Sequence, residues 1–434
     1  MKEIDTLVQL IKSVAVCIEI DFDPNHKEKY FNILFYPEMS AAIPKLVEDT
    51  FKDIMKLLKK RVRVKNGIVL DEFLTRMVLK FLVDLTYDYR RNNTMGDLYK
   101  KVRKLLAEIR NIRMSDFLFL IPLVNIKKEV DLVIGNATIA NITEDKVLRL
   151  ASTYNLRSVL GNNEDPQSIV NRLQGDSRHP TLAIVRVNAN DFDKAEQISL
   201  QAAEQALNVL RFYAWGVRAL IKGEEFKNDT RTLVGFDLTH NRFRSMSGFL
   251  YHQDPDYPDD IIDSDLVVKL KERKIEAISK LLTKPTEELS PMQGDILSAI
   301  YWIGNAEKET AAHDKLIKYA IGLDTLLAQD SREKTETVAS RYVTIMGQTW
   351  TEDQKIKKYC TIRKYYTTRN QVVHGGLTYI EDAFVQDLRS LVGELIYTLL
   401  NHSETYDRVT DLIYRMDPIP ENLLKPEKCQ DVVM

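Results

Sequence analysis

Residues 369–376 read RNQVVHGG. An arginine, an asparagine and a histidine fall within six positions, and two glycines stop the run. Such a run is either an ordinary helix end or the reacting part of a site, so its surroundings have to be read first. The stretch closes a longer one, TEDQKIKKYCTIRKYYTTRNQVVHGG, which opens on Thr-Glu-Asp, a helix start. Four more helical stretches surround it between about residues 288 and 402. LSPMQGDILSAIYWIGNAEKE opens on Ser-Pro, a favourable first turn. HDKLIKYAIGLDTLLAQD places Leu316, Ala320, Leu323 and Leu327 on one stripe. TETVASRYVTIMG ends at Gly347, and EDAFVQDLRSLVGELIYTLLNH presents Phe384, Leu388, Leu391, Leu395 and Leu399 at helical spacing. Five helices with short connections predict an all-α bundle.

Working outward, the texture changes. FLFLIPLV, VDLVIGNATIANI and TLAIVRV are short β-branched runs, and Gly135-Asn136 punctuates the second like a tight turn. DKAEQISLQAAEQALNVLRFYAWGVRALI reads as one long helix, and TLVGFDLTHNRFRSMSGFLY as further strand. The region closes at HQDPDYPDDIIDSD, an acidic loop or linker. Before residue 115, VEDTFKDIMKLLKK and DEFLTRMVLKFLVDLTYDY carry apolar residues at helical spacing, so that region reads mostly as helix. The expected class is α+β: a basic, mainly helical region (1–114), a small α/β domain (115–285), the helical bundle (286–415) and a loose Pro-rich tail (416–434).

Composition excludes several classes. The 434 residues exceed one typical core. Net charge is −2, so the chain as a whole is no polyelectrolyte. Yet Lys52 to Arg113 holds 17 Lys and Arg against 7 Asp and Glu. That segment is either a set of solvated helix faces or a polyanion-contacting surface that includes Lys59, Lys60 and Arg61. Cys17, Cys360 and Cys429 lie far apart with no CxxC spacing. The expectation is a reducing, cytoplasmic setting with neither a disulfide framework nor a zinc site. No apolar run approaches a membrane span, and no metal or cofactor motif stands out. Trp215 and Trp302 read as core.

Three charges sit where apolar residues belong: Arg369 after Ile362 and Tyr366, Asp324 among Ile317, Ala320, Ile321 and Leu327, and Arg341 between Val338 and Ile345. Buried charges need partners, so Asp324 is expected to pair with Arg369 or Arg341. Five residues of straight helix turn the chain by about 500°, which would leave Arg369 and His374 about 140° apart. They could act on one atom only if the helix ended between them or if two chains combined, and the glycine pair suggests an end there. From Lys355 through Ile380 there are six Lys or Arg and no acid. Lys355, Lys358, Arg363 and Lys364, beside Tyr365 and Tyr366, are the cation-and-aromatic mixture that suits a phosphate backbone with unstacked bases. A basic helix end complementing the macrodipole gives the same pattern.

The bundle resembles the HEPN superfamily, in particular its Apea-like branch. The resemblance rests on YAIGLDTLL, ASRYVTIMG, YYTTRNQVVHGG and the final amphipathic helix, over roughly residues 288–402. The family pattern is Arg, a polar residue, a few variable positions and then His; here it falls on Arg369, Asn370 and His374. The resemblance implies an endoribonuclease that needs no metal or other cofactor and forms a 2′,3′-cyclic phosphate. In it two bundles pair as a homodimer, so that two motifs make one cleft. His374 would move the proton, Arg369 would stabilise the phosphorane and Asn370 would orient the phosphate or the imidazole. Asp324, with Arg341 nearby, would support Arg369. It further implies a toxin or antiphage effector, with the α/β region sensing a phage-derived or other trigger. Two alternatives stay open: a non-catalytic module that binds RNA, nucleotide or a partner protein, and a purely structural helical adaptor.

Overall fold

The computed structural model describes residues 2–20, 30–36, 39–61, 71–110, 114–124, 126–128, 131–141, 143–154, 181–214, 219–221, 233–239, 242–246, 260–262, 264–272, 274–328, 334–377, 379–417, 419–420 and 423–429. They form two compact units, one of Met1–Ser115 with Asn188–Ala195, the other of Asp116–Val187 with Glu196–Met434. The first break falls after Ser115, and the middle region and the helical bundle lie in the second unit.

In the first unit, helices α1 (Lys2–Ala15), α2 (Glu48–Arg61), α3 (Asp71–Asn92) and α4 (Leu98–Arg110) enclose a core that includes Leu7, Ile11, Ile54, Leu58, Val78, Leu82 and Val102. The helical reading of this region missed a sheet. Strands β1 (Glu19–Ile20), β2 (Tyr30–Tyr36) and β3 (Met39–Pro44) pair antiparallel in the order β1-β3-β2.

In the second unit, β4 (Ser115–Val124), β6 (Leu132–Ile134), β7 (Ala137–Asn141), β8 (Thr181–Ala189), β10 (Leu233–Asp237) and β11 (Arg242–Met246) line up as β11-β10-β4-β8-β7-β6. Gly135-Asn136 is the two-residue turn between β6 and β7, as its dipeptide predicts. Helix α5 (Glu144–Thr153) lays Val147 and Leu150 against Leu118, Leu120, Leu182, Val234 and Phe236 of the sheet. Short strands β5 (Ile126–Lys128) and β12 (Asp260–Ile262) pair parallel. Ladders β4/β10, β10/β11, β6/β7 and β7/β8 are antiparallel, so the middle region is an antiparallel sheet with helices rather than a βαβ repeat.

The long helix of this region, α6, runs only from Phe192 to Tyr213. The ALI that was expected to continue it supplies β9 (Leu220–Ile221), which pairs with Leu123 and Val124. A three-residue apolar run fits either period, and here pairing with the last residues of β4 claims it. Helices α7 (Ser264–Glu272) and α8 (Ile275–Thr283) then lead into the bundle.

The bundle holds the five expected helices: α9 (Pro291–Glu307), α10 (Ala312–Leu327), α11 (Lys334–Met346), α12 (Glu352–Gly375) and α13 (Asp382–His402), with short α14 (Val409–Ile413) behind them. Ser290 Oγ accepts from the Gln293 N–H and Gln293 Oε1 accepts from the Ser290 N–H, which fixes where α9 begins. Helix α10 packs on α9, α11, α12 and α13 together. Leu316, Tyr319, Ala320, Gly322, Leu323 and Leu326 are therefore buried around its circumference, as a central helix requires.

At Gly304 of α9 the neighbouring helix leaves no room. A Cβ there would lie 2.6 Å from Asn208 Cα and 2.3 Å from Asn208 Oδ1. Gly304→Ala should destabilise the chain by roughly 1–2 kcal/mol, because forcing α6 and α9 apart outweighs the helix propensity gained by alanine. Urea unfolding followed by circular dichroism measures this, and an unchanged midpoint would show that the helices can part freely.

The tail expected to be loose is anchored. Leu423 is buried, and a 3-10 turn at Pro426–Cys429 packs on α12. There Cys429 forms a disulfide with Cys360, 69 residues away in sequence, with Cα atoms 5.2 Å apart. The expectation of free thiols fails because sequence spacing does not report which side chains the fold brings together. Among the described residues no helix is long and apolar enough to cross a membrane.

Candidate functional site

Helix α12 positions the motif. Thr351 Oγ1 accepts from the Gln354 N–H and Gln354 Oε1 accepts from the Thr351 N–H, closing the first turn. At the other end Gly376 takes φ +69°, and the N–H groups of Gly376 and Leu377 converge on the Gln371 carbonyl. The helix is thus continuous through Arg369 and His374. The glycine pair ends it after the histidine, not between the two residues as the sequence suggested. By helical geometry the two side chains leave the axis about 140° apart, so one chain does not bring them onto one atom.

Arg369 is half-buried, and Asn370 and His374 are exposed. Arg369 Nη1 donates to Asn370 Oδ1 at 3.1 Å, while its Nε is buried with no hydrogen-bond partner. Asn370 therefore steadies the guanidinium and leaves much of its donor capacity unspent. The last turn also exposes apolar side chains: Val373 at 46%, Leu377 at 38% and, beyond it, Tyr379 at 78%. Apolar groups beside a half-buried cation and an exposed imidazole are what a partner surface would cover.

Asp324 of α10 forms no ion pair with Arg369; its carboxylate accepts from the Tyr366 hydroxyl. Burial pushes the Asp324 carboxyl above the ordinary aspartate range, against the opposing pull of the Tyr366 hydrogen bond, Lys334 and Arg369. Arg369 thus acts on Asp324 through space. Arg341 Nη1 donates to the Leu327 carbonyl at 2.7 Å, satisfying the end of α10.

The raised carboxyl predicts a pH signature. The folded state holds the Asp324 proton more tightly than the unfolded chain, so its contribution to stability is greatest at low pH and is lost as pH rises through the folded pKa. Relative to Asp324→Asn, which does not titrate, the wild type should lose stability upward from about pH 3.9, the unperturbed aspartate value. Denaturant unfolding of both proteins across that range tests it, and a difference that moves the other way would refute the burial effect.

The aromatic part of the expected RNA surface is corrected. Tyr365 is 1% exposed, donates to Asp387 and packs 4.6 Å from the Phe384 ring. Tyr366 is 3% exposed and is held by Asp324. Both are core residues that unstacked bases cannot reach, and burial raises both phenols. Arg363 is committed to Glu336 at 3.1 Å and lies over the Tyr359 ring, so it too is structural. Lys355 and Lys358 are half-buried and Lys364 is exposed, which leaves cations along the helix. Backbone positions 59–61 end α2, but the side chains of Lys59, Lys60 and Arg61 lie outside what the structure describes.

Sequence reading missed a buried polar network in the same unit. Arg211 of α6 is fully buried; its guanidinium donates to Glu204 at 2.9 Å, Asn208 at 2.8 Å and the Ala219 carbonyl at 3.0 Å. Burial pushes the Glu204 carboxyl up, but Arg211 and Lys308 outweigh that and hold it below the usual range. Arg389 of α13 pairs with buried Glu307, which also accepts from Tyr319 at 3.0 Å, and reaches the Arg211 and Phe212 carbonyls that end α6. One signal was available: Arg211 interrupts the apolar run ALNVLRFYAW.

No protein-family model, curated protein or solved structure matches the chain.

Proposed function

We propose that the chain is an endoribonuclease that works without a metal, as a homodimer whose composite cleft is built from two copies of the Arg369–Asn370–His374 end of α12. The observation that carries this reading is the continuity of α12. A cation and an imidazole on opposite sides of one helix end, beside uncovered Val373, Leu377 and Tyr379, suit a site completed by a second copy. The acid-free run from Lys355 to Ile380 suits a polyanion, and the resemblance of the motif and helix order to HEPN proteins supplies the reaction class.

The chemistry is transesterification within RNA. The 2′-oxygen attacks the adjacent phosphorus, its proton passes to an imidazole, and the P–O5′ bond breaks as the leaving 5′-oxygen gains a proton. His374 of one copy takes one of these proton transfers. Arg369 donates to the phosphoryl oxygens as negative charge grows on them, a task its planar fork fits. Asn370 holds that fork. The products are a 2′,3′-cyclic phosphate and a 5′-hydroxyl.

Purified protein incubated with total RNA in EDTA should generate those ends. Intact RNA, or 5′-phosphate ends that require added metal, would refute the reading. A second reading, a non-catalytic RNA- or nucleotide-binding module, is favoured by one observation: the 140° divergence of Arg369 and His374 within a chain. Tight RNA binding without cleavage by dimeric protein would select it. The toxin or antiphage role rests on the HEPN resemblance alone.

A further inference from the structure

We propose that the Cys360–Cys429 disulfide is a reducible lock. It straps Leu423–Cys429 across the outward face of α12, and a dithiol reductant releases the strap and opens that face to RNA. The RNA consequence rests on the reading of α12 as an RNA-contacting helix; the lock rests on geometry alone.

Helical geometry places Cys360 on the wrong side of α12 for a core residue. At about 100° per residue it points about 160° away from Ile362, which is fully buried. It lies within about 60° of Lys357, Lys364, Thr367, Gln371 and His374. All five of those are exposed, yet Cys360 is only 5% exposed. The tail accounts for the difference. The 3-10 turn at Pro426–Cys429 packs on α12, Leu423 is buried, and Cys429 carries the bond to Cys360. The strap thus covers helix surface that would otherwise face solvent. It does so on the face that reaches His374 about 21 Å further along the axis.

The bond is open to attack from one side. Cys429 is half-buried, so a thiolate reaches its Sγ more readily than that of Cys360. The S–S bond then breaks and its electron pair leaves on Cys360. Lys357 and Lys364, three residues before and four after, bring positive charge beside the departing thiolate. The second thiol of the reductant displaces Cys429. The products are two protein thiols and the cyclic disulfide of the reductant, which has given up two electrons and two protons. The bond joins residues 69 apart in sequence, so its loss removes a long-loop constraint that holds the strap in place.

The full chain is equilibrated with oxidised glutathione, and a portion is then reduced with dithiothreitol. Iodoacetamide should label only Cys17 in the oxidised protein and all three cysteines in the reduced one. Amide exchange across Leu423–Cys429 should speed up about tenfold or more on reduction, as expected of a segment that opens locally. Affinity for a 2′-methoxy RNA should rise about threefold or more, the effect of a binding face that is free less than about a third of the time when strapped. Cys429→Ser should match the reduced wild type with or without reductant, and Cys17→Ser should keep the full response. Exchange and affinity that change as expected, with no RNA cleavage in either state, would support the lock while refuting the endoribonuclease reading. The proposal is overturned if Cys360 and Cys429 are labelled in the oxidised protein, if reduction leaves exchange or RNA affinity unchanged, or if Cys429→Ser still responds to reductant.

Discussion

His374→Ala is expected to cut RNA cleavage by about 10²–10⁴-fold, the usual effect of removing a group that moves a proton in the transition state. The expectation is sharp because the substitution should leave the fold intact. The imidazole is exposed on the last turn of α12, and the turn is closed by Gly376 and the Gln371 carbonyl rather than by the histidine. Unfolding midpoints of variant and wild type should therefore agree, so a loss of cleavage reports chemistry. Affinity for a non-cleavable RNA carrying 2′-deoxy or 2′-methoxy sugars should change little. Cleavage by the variant at the wild-type rate would remove His374 from the mechanism.

The second large effect is expected from mixing two inactive chains. Arg369→Ala and His374→Ala should each be inactive alone, and an equimolar mixture should regain part of the wild-type rate. A two-fold dimer presents the same patch from both partners, so a mixed pair retains one arginine and one histidine in the shared cleft. With free exchange about half of the dimers would be mixed, which sets the ceiling on recovery. The surface beside the motif supplies a control. Leu377→Asp places a charge among Val373, Leu377 and Tyr379, the apolar groups left uncovered at the end of α12, and should give an inactive monomer by light scattering. A monomeric wild type with full activity would exclude a composite cleft, because α12 alone holds the two side chains on opposite sides of its axis.

Much of the fold could be read from local pattern. All five bundle helices lie where period and start signals put them, Ser290-Pro291 and Thr351 begin their helices, and Gly376 ends α12. The Gly135-Asn136 hairpin and the strands around it follow from alternation and turn chemistry. These signals are legible because each is written within a few residues: a cap bonds three positions away, and a helical stripe repeats every three or four. The Arg369–Asn370–His374 motif is legible for the same reason.

What the sequence left open depends on partners distant along the chain. Tyr365 and Tyr366 look like a stacking platform beside lysines until Asp387 and Asp324, on two other helices, bury and bond their hydroxyls. Cys360 and Cys429 look unrelated until the tail returns to α12. Arg211 is intelligible only with Glu204, Asn208 and Ala219 around it, and the Asn208 amide is left with a spare donor only because Arg211 takes its oxygen. Leu220 and Ile221 fit a helical pattern, yet they form strand because the last residues of β4, Leu123 and Val124, pair with them. In each case the local pattern allowed two states of similar cost, and a hydrogen bond, a covalent bond or a buried surface available only in the folded chain selected one of them.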